Sequence, residues 1–267
     1  MSLDAEEYTL YQIANAEVRR HPFPHFFVAP VFTEDYYRSL LANLPPIDWM
    51  KPIDETGSVK TMGKEGKKAY PSRFIADIAD IEEREQERDP GAQFWAGLGQ
   101  WMMSDRFRGL ILDKFRADMA ARFGEGAAVS TDIDARLVRD FTSYAIGPHT
   151  DSPRKLVSLL FYLPRDESMR HLGTSIYAAH DPAFRCEGTR HHGYERFKRV
   201  ADMPYVPNAL FAFFKTDHSF HGVDPITDQN IERNLLLYNI YVQAVATQRS
   251  GRWPWQKRRS VVQYKAG

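Results

Sequence analysis

The sequence has almost no cysteine, no net charge and no long apolar run, and each of these absences excludes a class of protein. It contains one cysteine, so no disulfide can form within the chain. Lysine plus arginine equal aspartate plus glutamate at 35 each, so no net charge attracts nucleic acid or an anionic membrane. No apolar run is long enough to span a membrane, and the acidic first residues lack the basic-then-apolar pattern of a secretory signal. We expect a reducing, cytoplasmic location and neither a membrane nor a nucleic acid as partner.

The 267 residues are enough for one large hydrophobic core, and we expect a single domain over residues 1–267. Residues 1–130 have helical spacing of apolar residues, including a stretch from Phe94 that ends at Gly124, and Thr33 is suited to cap an early helix. Within this part, residues 49–90 are charged and glycine-containing. They are typical of a mobile surface loop and a candidate lid.

Strand signals dominate residues 131–245, interrupted by a polar segment over residues 165–202. We expect a mainly β protein with flanking helices, of the α+β class. Its core would be a double-stranded β-helix, also called a jelly roll or cupin-like barrel. Residues 246–267 form a basic tail with interleaved aromatic residues, typical of a solvated or oligomer-packing segment more than of a nucleic-acid site. The sequence leaves open whether the chain forms a homo-oligomer.

Two histidines and one aspartate stand next to strand-like runs. His149 and Asp151 precede the apolar run at residues 156–163, and His221 precedes Gly222. Residues two apart in an extended chain point to the same side, so His149 and Asp151 can reach one metal ion. Two imidazoles and one carboxylate on one side of a metal form the facial triad of non-haem Fe(II) oxygenases, which leaves coordination positions for a co-substrate and dioxygen. The sequence predicts such a site.

Other histidines compete for this role. His218 lies three residues before His221 in the same turn. His191 and His192 lie in a polar segment near Cys186, and we interpret them as a solvated loop because no regular element would fix a ligand geometry there. A charged residue, Arg233, opens the apolar run at residues 233–242. A buried charge needs a partner, and a guanidinium pairs well with a carboxylate.

These residues resemble the Fe(II)/2-oxoglutarate-dependent dioxygenases, in particular the prolyl-hydroxylase-like branch. The resemblance covers roughly residues 24–242 and consists of the His-X-Asp motif, a strand, a distal histidine followed by Gly-Val, and an arginine about ten residues later. It implies Fe(II) bound by His149, Asp151 and His221. It also implies that Arg233 binds the remote carboxylate of the co-substrate 2-oxoglutarate, with Tyr162 and Tyr144 as further contacts.

The activity implied is hydroxylation of a C–H bond by dioxygen, with release of succinate and CO2. The substrate would be a small molecule or a protein side chain, and the sequence does not identify it. Leu237 and Asn239 alternate with Arg233 and are expected to line the substrate pocket. Two other classes remain open: a cupin-like metal-binding isomerase or small-molecule binding protein, and a metal-free interaction module that uses the basic tail.

Overall fold

The structure is a computed structural model that describes residues 4–56, 70, 72–82, 89–141, 145–188, 190–228, 231–243 and 262–265. Tyr144, residues 57–69, 71 and 83–88 of the expected loop, and most of the basic tail lie outside the described residues. The predictions made for them remain predictions.

The described residues form six α-helices and three short 3-10 helices, mainly in the first half of the chain. The α-helices are α1 (Ala5–Asn15), α2 (Glu34–Ala42), α3 (Ile78–Glu82), α4 (Pro90–Met102), α5 (Asp105–Lys114) and α6 (Arg116–Phe123). The 3-10 helices are Ile47–Trp49, Ile53–Glu55 and Tyr194–Arg196.

Side-chain caps explain where several of these helices begin. Thr33 accepts a hydrogen bond from the backbone of Tyr36 at the start of α2, as the sequence predicts, and Ser104 does the same for Phe107 at the start of α5. The helical stretch from Phe94 ends at Gly124, whose φ of 92° suits glycine.

In the described ranges, twelve strands form two antiparallel sheets. They are β1 (His25–Val28), β2 (Lys51–Pro52), β3 (Arg73–Asp77), β4 (Ala128–Asp140), β5 (Ile146–His149), β6 (Lys155–Tyr162), β7 (Thr174–Ala179), β8 (Phe197–Met203), β9 (Ala209–Phe214), β10 (His221–Val223), β11 (Arg233–Val242) and β12 (Val262–Lys265). The larger sheet has the order β1-β9-β6-β11-β4-β3-β2, and β12 also pairs with β4. The smaller sheet has the order β5-β10-β7-β8. The fold is therefore mainly β with flanking helices, as expected.

The larger sheet has a different environment on each face, and strand β11 illustrates the alternation. Leu236, Tyr238 and Ile240 are buried in one hydrophobic cluster together with residues of α1, α2, α4, α5 and α6. Leu235 and Leu237 belong to a second cluster that contains residues of the smaller sheet. The larger sheet thus lies between a layer of helices and the smaller sheet.

Two segments differ from the sequence-based expectation. Within the expected mobile loop, residues 51–55 form β2 and a 3-10 helix, and residues 73–82 form β3 and α3. Strand β3 pairs with β2 and, over five residues, with β4. The polar segment at residues 165–202 contains β7 and most of β8. Most side chains of β8 are exposed, so its sequence lacks the alternation of apolar and polar residues that predicts a strand with one buried face. Among the described residues, no helix is long and apolar enough to cross a membrane.

Candidate metal centre and carboxylate-binding cavity

A cavity of about 170 Å³ lies between the two sheets. The smaller sheet contributes His149, Thr174 and His221 to its lining, and the larger sheet contributes residues of β3, β6, β9 and β11. Leu237 and Asn239 are among them, as alternation from Arg233 predicts. The lining therefore changes along β11 from a cation, through leucines, to an amide.

His149, Asp151 and His221 meet at this cavity. Each offers one ligand atom, and these atoms all lie within 4.8 Å of one another. His149 and His221 are directly paired residues of the neighbouring strands β5 and β10, and their ring centroids are 4.4 Å apart. Asp151 follows two residues after His149, so the extended chain brings its carboxylate to the same point. Among the described residues this is the one group of three such side chains close enough to hold a metal ion.

Backbone carbonyls orient both imidazoles. His149 Nδ1 lies 3.0 Å from the Gly147 carbonyl oxygen, and His221 Nδ1 lies 3.0 Å from that of Ser219. A proton on Nδ1 makes each of these contacts a hydrogen bond, which leaves the Nε2 lone pair for a metal. Sequence reasoning missed this arrangement, although both carbonyls stand two residues before the histidine.

Burial keeps the imidazoles neutral. It lowers the pKa of His149 to about 3, and repulsion from a protonated His221 acts in the same direction. Burial also lowers the pKa of His221. Burial alone would raise the pKa of Asp151, but Lys155, the two imidazoles and the Ser158 hydroxyl together hold it below its usual range. Two neutral imidazoles and one carboxylate at neutral pH are the protonation states that a divalent metal requires.

Two side chains of β6 fix the Asp151 carboxylate. Ser158 donates a hydrogen bond of 2.7 Å to Oδ2, and the Lys155 ammonium lies 3.2 Å from the same oxygen. Oδ1 takes part in neither contact. Ser158 and Lys155 therefore hold one oxygen of the carboxylate, Oδ2, and not the other.

Residues 186–188 and 190–193 pack against the His-X-Asp motif at residues 149–151. The Thr150 hydroxyl donates to the Cys186 carbonyl at 2.8 Å, and the His192 amide donates to the Pro148 carbonyl at 2.9 Å. Gly188 has a φ of 142°, and a Cβ there would lie 2.1 Å from the Asp151 carbonyl oxygen. Glycine is required at that position because no side chain fits.

The rival histidines have different positions. His191 is exposed, yet its ring centroid is 4.7 Å from that of His149, so this histidine of the expected solvated loop lies beside the centre. His192 contacts the sulfur of Cys186 at 3.4 Å. Neither they nor His218 belong to the group of three ligand atoms.

Arg233 begins β11 and is 1% exposed. Its Nε donates to the Leu172 carbonyl at 2.7 Å, its Nη1 donates to Asp140 at 3.0 Å, and the Tyr205 ring lies 5.2 Å from the guanidinium. Its Nη2 is buried and has no hydrogen-bond partner among the described residues. An unsatisfied buried donor on a cation costs free energy unless a ligand accepts from it.

Tyr162, one of the two tyrosines expected to contact the co-substrate beside Arg233, is not among the residues that line the cavity. Tyr162 is fully buried, and its hydroxyl donates to Thr174 Oγ1 at 2.8 Å; burial raises the pKa of Tyr162 to about 12. Thr174 lines the cavity, whereas Tyr162 stands behind it. Tyr144 lies outside the described residues.

Searches against protein-family models and against curated proteins find no match. A search of solved structures finds matches of low sequence identity. One is a prolyl-4-hydroxylase from Pseudomonas putida, with 18% identity, a TM-score of 0.44, and coverage of 89% of this chain and 99% of that chain.

Two further structures illustrate the range of these matches. An oxidoreductase of the 2OG-Fe(II) oxygenase family from Burkholderia pseudomallei has 14% identity, a TM-score of 0.45, and coverage of 90% and 91%. HygX from Streptomyces hygroscopicus, solved with nickel and 2-oxoglutarate bound, has 12% identity, a TM-score of 0.42, and coverage of 82% of each chain.

Proposed function

We propose that this chain is an Fe(II)- and 2-oxoglutarate-dependent dioxygenase that hydroxylates a C–H bond of a small molecule or a protein side chain. The proposal includes a single domain built on a double-stranded β-helix. It also includes the cytoplasm as location, where reducing conditions would help keep iron ferrous.

The observation that carries the proposal is the presence of two complementary sites in one cavity. His149, Asp151 and His221 offer ligand atoms within 4.8 Å of one another, and Arg233 has a buried donor without a hydrogen-bond partner in the described part of the chain. A 2-oxo acid with a remote carboxylate fits this pair, because one end chelates a metal and the other accepts from a guanidinium. Neutral nitrogen donors and one carboxylate also suit Fe(II).

Fe(II) would be held by His149, Asp151 and His221. Iron and 2-oxoglutarate together supply the activation of dioxygen, in which one oxygen atom enters succinate, formed with CO2, and the other enters the substrate. The chain's own residues bind and orient the reactants. Arg233 anchors the far end of the co-substrate, Thr174 adds a hydroxyl, and Ser158 holds the Asp151 carboxylate in place.

The substrate pocket would adjoin the end of the cavity at Asn239, opposite Arg233 along β11. Leu237 and Asn239 line this part, and Asn239 is fixed by a hydrogen bond of 2.7 Å from its amide to Asp134. An amide held in this way offers its carbonyl oxygen as an acceptor for a substrate.

A cupin-like isomerase or binding protein would share the barrel and the metal ligands. It has no requirement for a buried cation in the lining of the metal cavity. Arg233, which is such a cation, therefore favours the dioxygenase.

Anaerobic titration of the Fe(II)-loaded protein with 2-oxoglutarate tests the proposal through the charge-transfer absorption that chelation produces. We expect one Fe(II) per chain and saturable co-substrate binding. Arg233→Leu should raise the dissociation constant about a hundredfold or more, since a charge-assisted pair of about 3 kcal/mol is lost. Iron binding should survive in this variant. An unchanged dissociation constant for 2-oxoglutarate would contradict the dioxygenase assignment.

A further inference from the structure

Next to Arg233 the cavity is lined by a second arginine, and a buried aspartate lies between the two. The sequence does not indicate that these three residues are neighbours. Arg73, Asp140 and Arg233 are directly paired residues on the neighbouring strands β3, β4 and β11. Directly paired residues on adjacent strands point to the same face of a sheet. The three side chains therefore form a row across the sheet, and both arginines line the cavity.

Asp140 is shared between the two guanidinium groups. Arg73 donates to it through Nε at 2.6 Å and through Nη2 at 2.9 Å, whereas Arg233 donates through Nη1 alone at 3.0 Å. The side chains of Asp140, Arg233 and Arg73 are 0%, 1% and 11% exposed. Two cations and one anion leave one positive charge on this row, and Arg233 Nη2 is the donor of the row that has no hydrogen-bond partner within the described ranges.

The division of hydrogen bonds determines which arginine is available for a ligand. Arginine and a carboxylate interact more strongly through two parallel hydrogen bonds than through one. Asp140 therefore pairs mainly with Arg73. Without Arg73, the carboxylate would pair fully with Arg233 and neutralise it. A carboxylate ligand would then meet a neutral pair in place of a cation, and the attraction between unit charges a few ångströms apart would be lost.

We propose that Arg73 is a positioning residue that limits the pairing of Asp140 with Arg233 to one hydrogen bond, and that this sharing makes the cavity selective for 2-oxo acids with a remote carboxylate. The proposal rests on the proposed function and goes beyond it, because it assigns the selectivity to a row of three residues. Arg73 would act through Asp140 on the charge that Arg233 presents.

The test measures dissociation constants for the anaerobic Fe(II) protein with two ligands of equal chain length. 2-Oxoglutarate has the remote carboxylate, and 2-oxopentanoate has a methyl group in its place. Arg73→Gln should weaken 2-oxoglutarate binding on the order of tenfold and change 2-oxopentanoate binding by less than about twofold. Equal weakening for both ligands would show that Arg73 serves only the structure of the cavity and would overturn the proposal.

The double variant Arg73→Gln with Asp140→Asn gives the decisive comparison. It removes one cation and one anion, so Arg233 again has one uncompensated charge, and the dissociation constant for 2-oxoglutarate should return to within about threefold of wild type. A merely structural role predicts a double variant at least as impaired as Arg73→Gln. A defect above about threefold in the double variant would overturn the proposal even if the single variant fails to fold.

Two controls match the substitutions. Asp54 is another buried carboxylate near β3 that does not line the cavity, and Asp54→Asn should not rescue Arg73→Gln. Arg106 pairs with Glu6 and Glu7 on the surface, and Arg106→Gln should leave both dissociation constants unchanged. If wild type binds neither ligand, the proposed function fails together with this inference. If wild type binds 2-oxoglutarate but the double variant shows no rescue, only the inference fails.

Discussion

At the scale of single residues, the two candidate metal histidines are distinguished from the others by what their second ring nitrogen does. His149 and His221 each use Nδ1 on a backbone carbonyl, so Nε2 of both rings is available at one point of the cavity. This hydrogen bond fixes the ring orientation before a metal binds.

Replacing His221 by Ala should therefore lower Fe(II) affinity by at least a hundredfold, because a ligand bond is removed. His218→Ala, in the turn three residues earlier, should change it by less than about threefold. Anaerobic metal titration of both variants provides the measurement. Equal losses in the two variants would show that the wrong histidine has been assigned.

Thr174 is a candidate co-substrate contact that the sequence did not predict. Its Oγ1 accepts from Tyr162, so its own proton is free to donate into the cavity. Thr174→Val should raise the dissociation constant for 2-oxoglutarate about fivefold to tenfold, since one hydrogen bond is worth about 1 kcal/mol net. Tyr162→Phe should have a smaller effect on binding, because the phenol acts through the threonine. A larger effect of Tyr162→Phe would show that Tyr162 contacts the ligand directly.

At the scale of elements, pairing of the short strands β5 and β10 places His149 beside His221. At Gly222 the two strands are too close to leave room for a side chain. A Cβ on Gly222 would lie 2.4 Å from the Ile146 carbonyl oxygen on the paired strand. This glycine stands directly after His221, so the separation of the two strands and the geometry of the imidazoles depend on the same residue.

Gly222→Ala should force β5 and β10 apart. We expect a loss of about 1–3 kcal/mol in the free energy of unfolding and at least a tenfold loss of Fe(II) affinity. Gly97→Ala is the matched control, because nothing lies within 4 Å of its Cβ and it is inside α4. There we expect a gain of about 0.5–1 kcal/mol in stability and unchanged metal affinity. Chemical denaturation and metal titration measure the two effects.

The elements also show which parts of the fold local sequence can predict. The caps of α2 and α5 and the strands around His149 and His221 follow from signals within a few residues. Strand β3 follows a charged segment, and β8 has a mostly exposed face, so neither has the apolar alternation that predicts a strand.

At the scale of the whole molecule, the triad could be predicted because two of its members are neighbours in sequence and the third has a local motif. The row of Arg73, Asp140 and Arg233 could not be predicted, since it depends on the order of strands in the larger sheet. The sequence indicates that Arg233 needs a partner, but Asp140 is one of many charged residues until β4 is placed beside β11.

The two-sided environment of the larger sheet gives a last prediction on two neighbouring residues of β11. Leu236 is fully buried against the helices, whereas Leu237 is half-buried and lines the cavity. Leu236→Ala should lower the free energy of unfolding by about 2–5 kcal/mol and leave the dissociation constant for 2-oxoglutarate within about twofold of wild type. Leu237→Ala should cost less stability and raise that constant about fivefold, because roughly 1 kcal/mol of apolar contact with the ligand is lost. Urea denaturation and anaerobic titration on both variants measure these quantities. If the two substitutions changed stability and binding in the same proportions, helices and cavity would not lie on opposite faces of this strand.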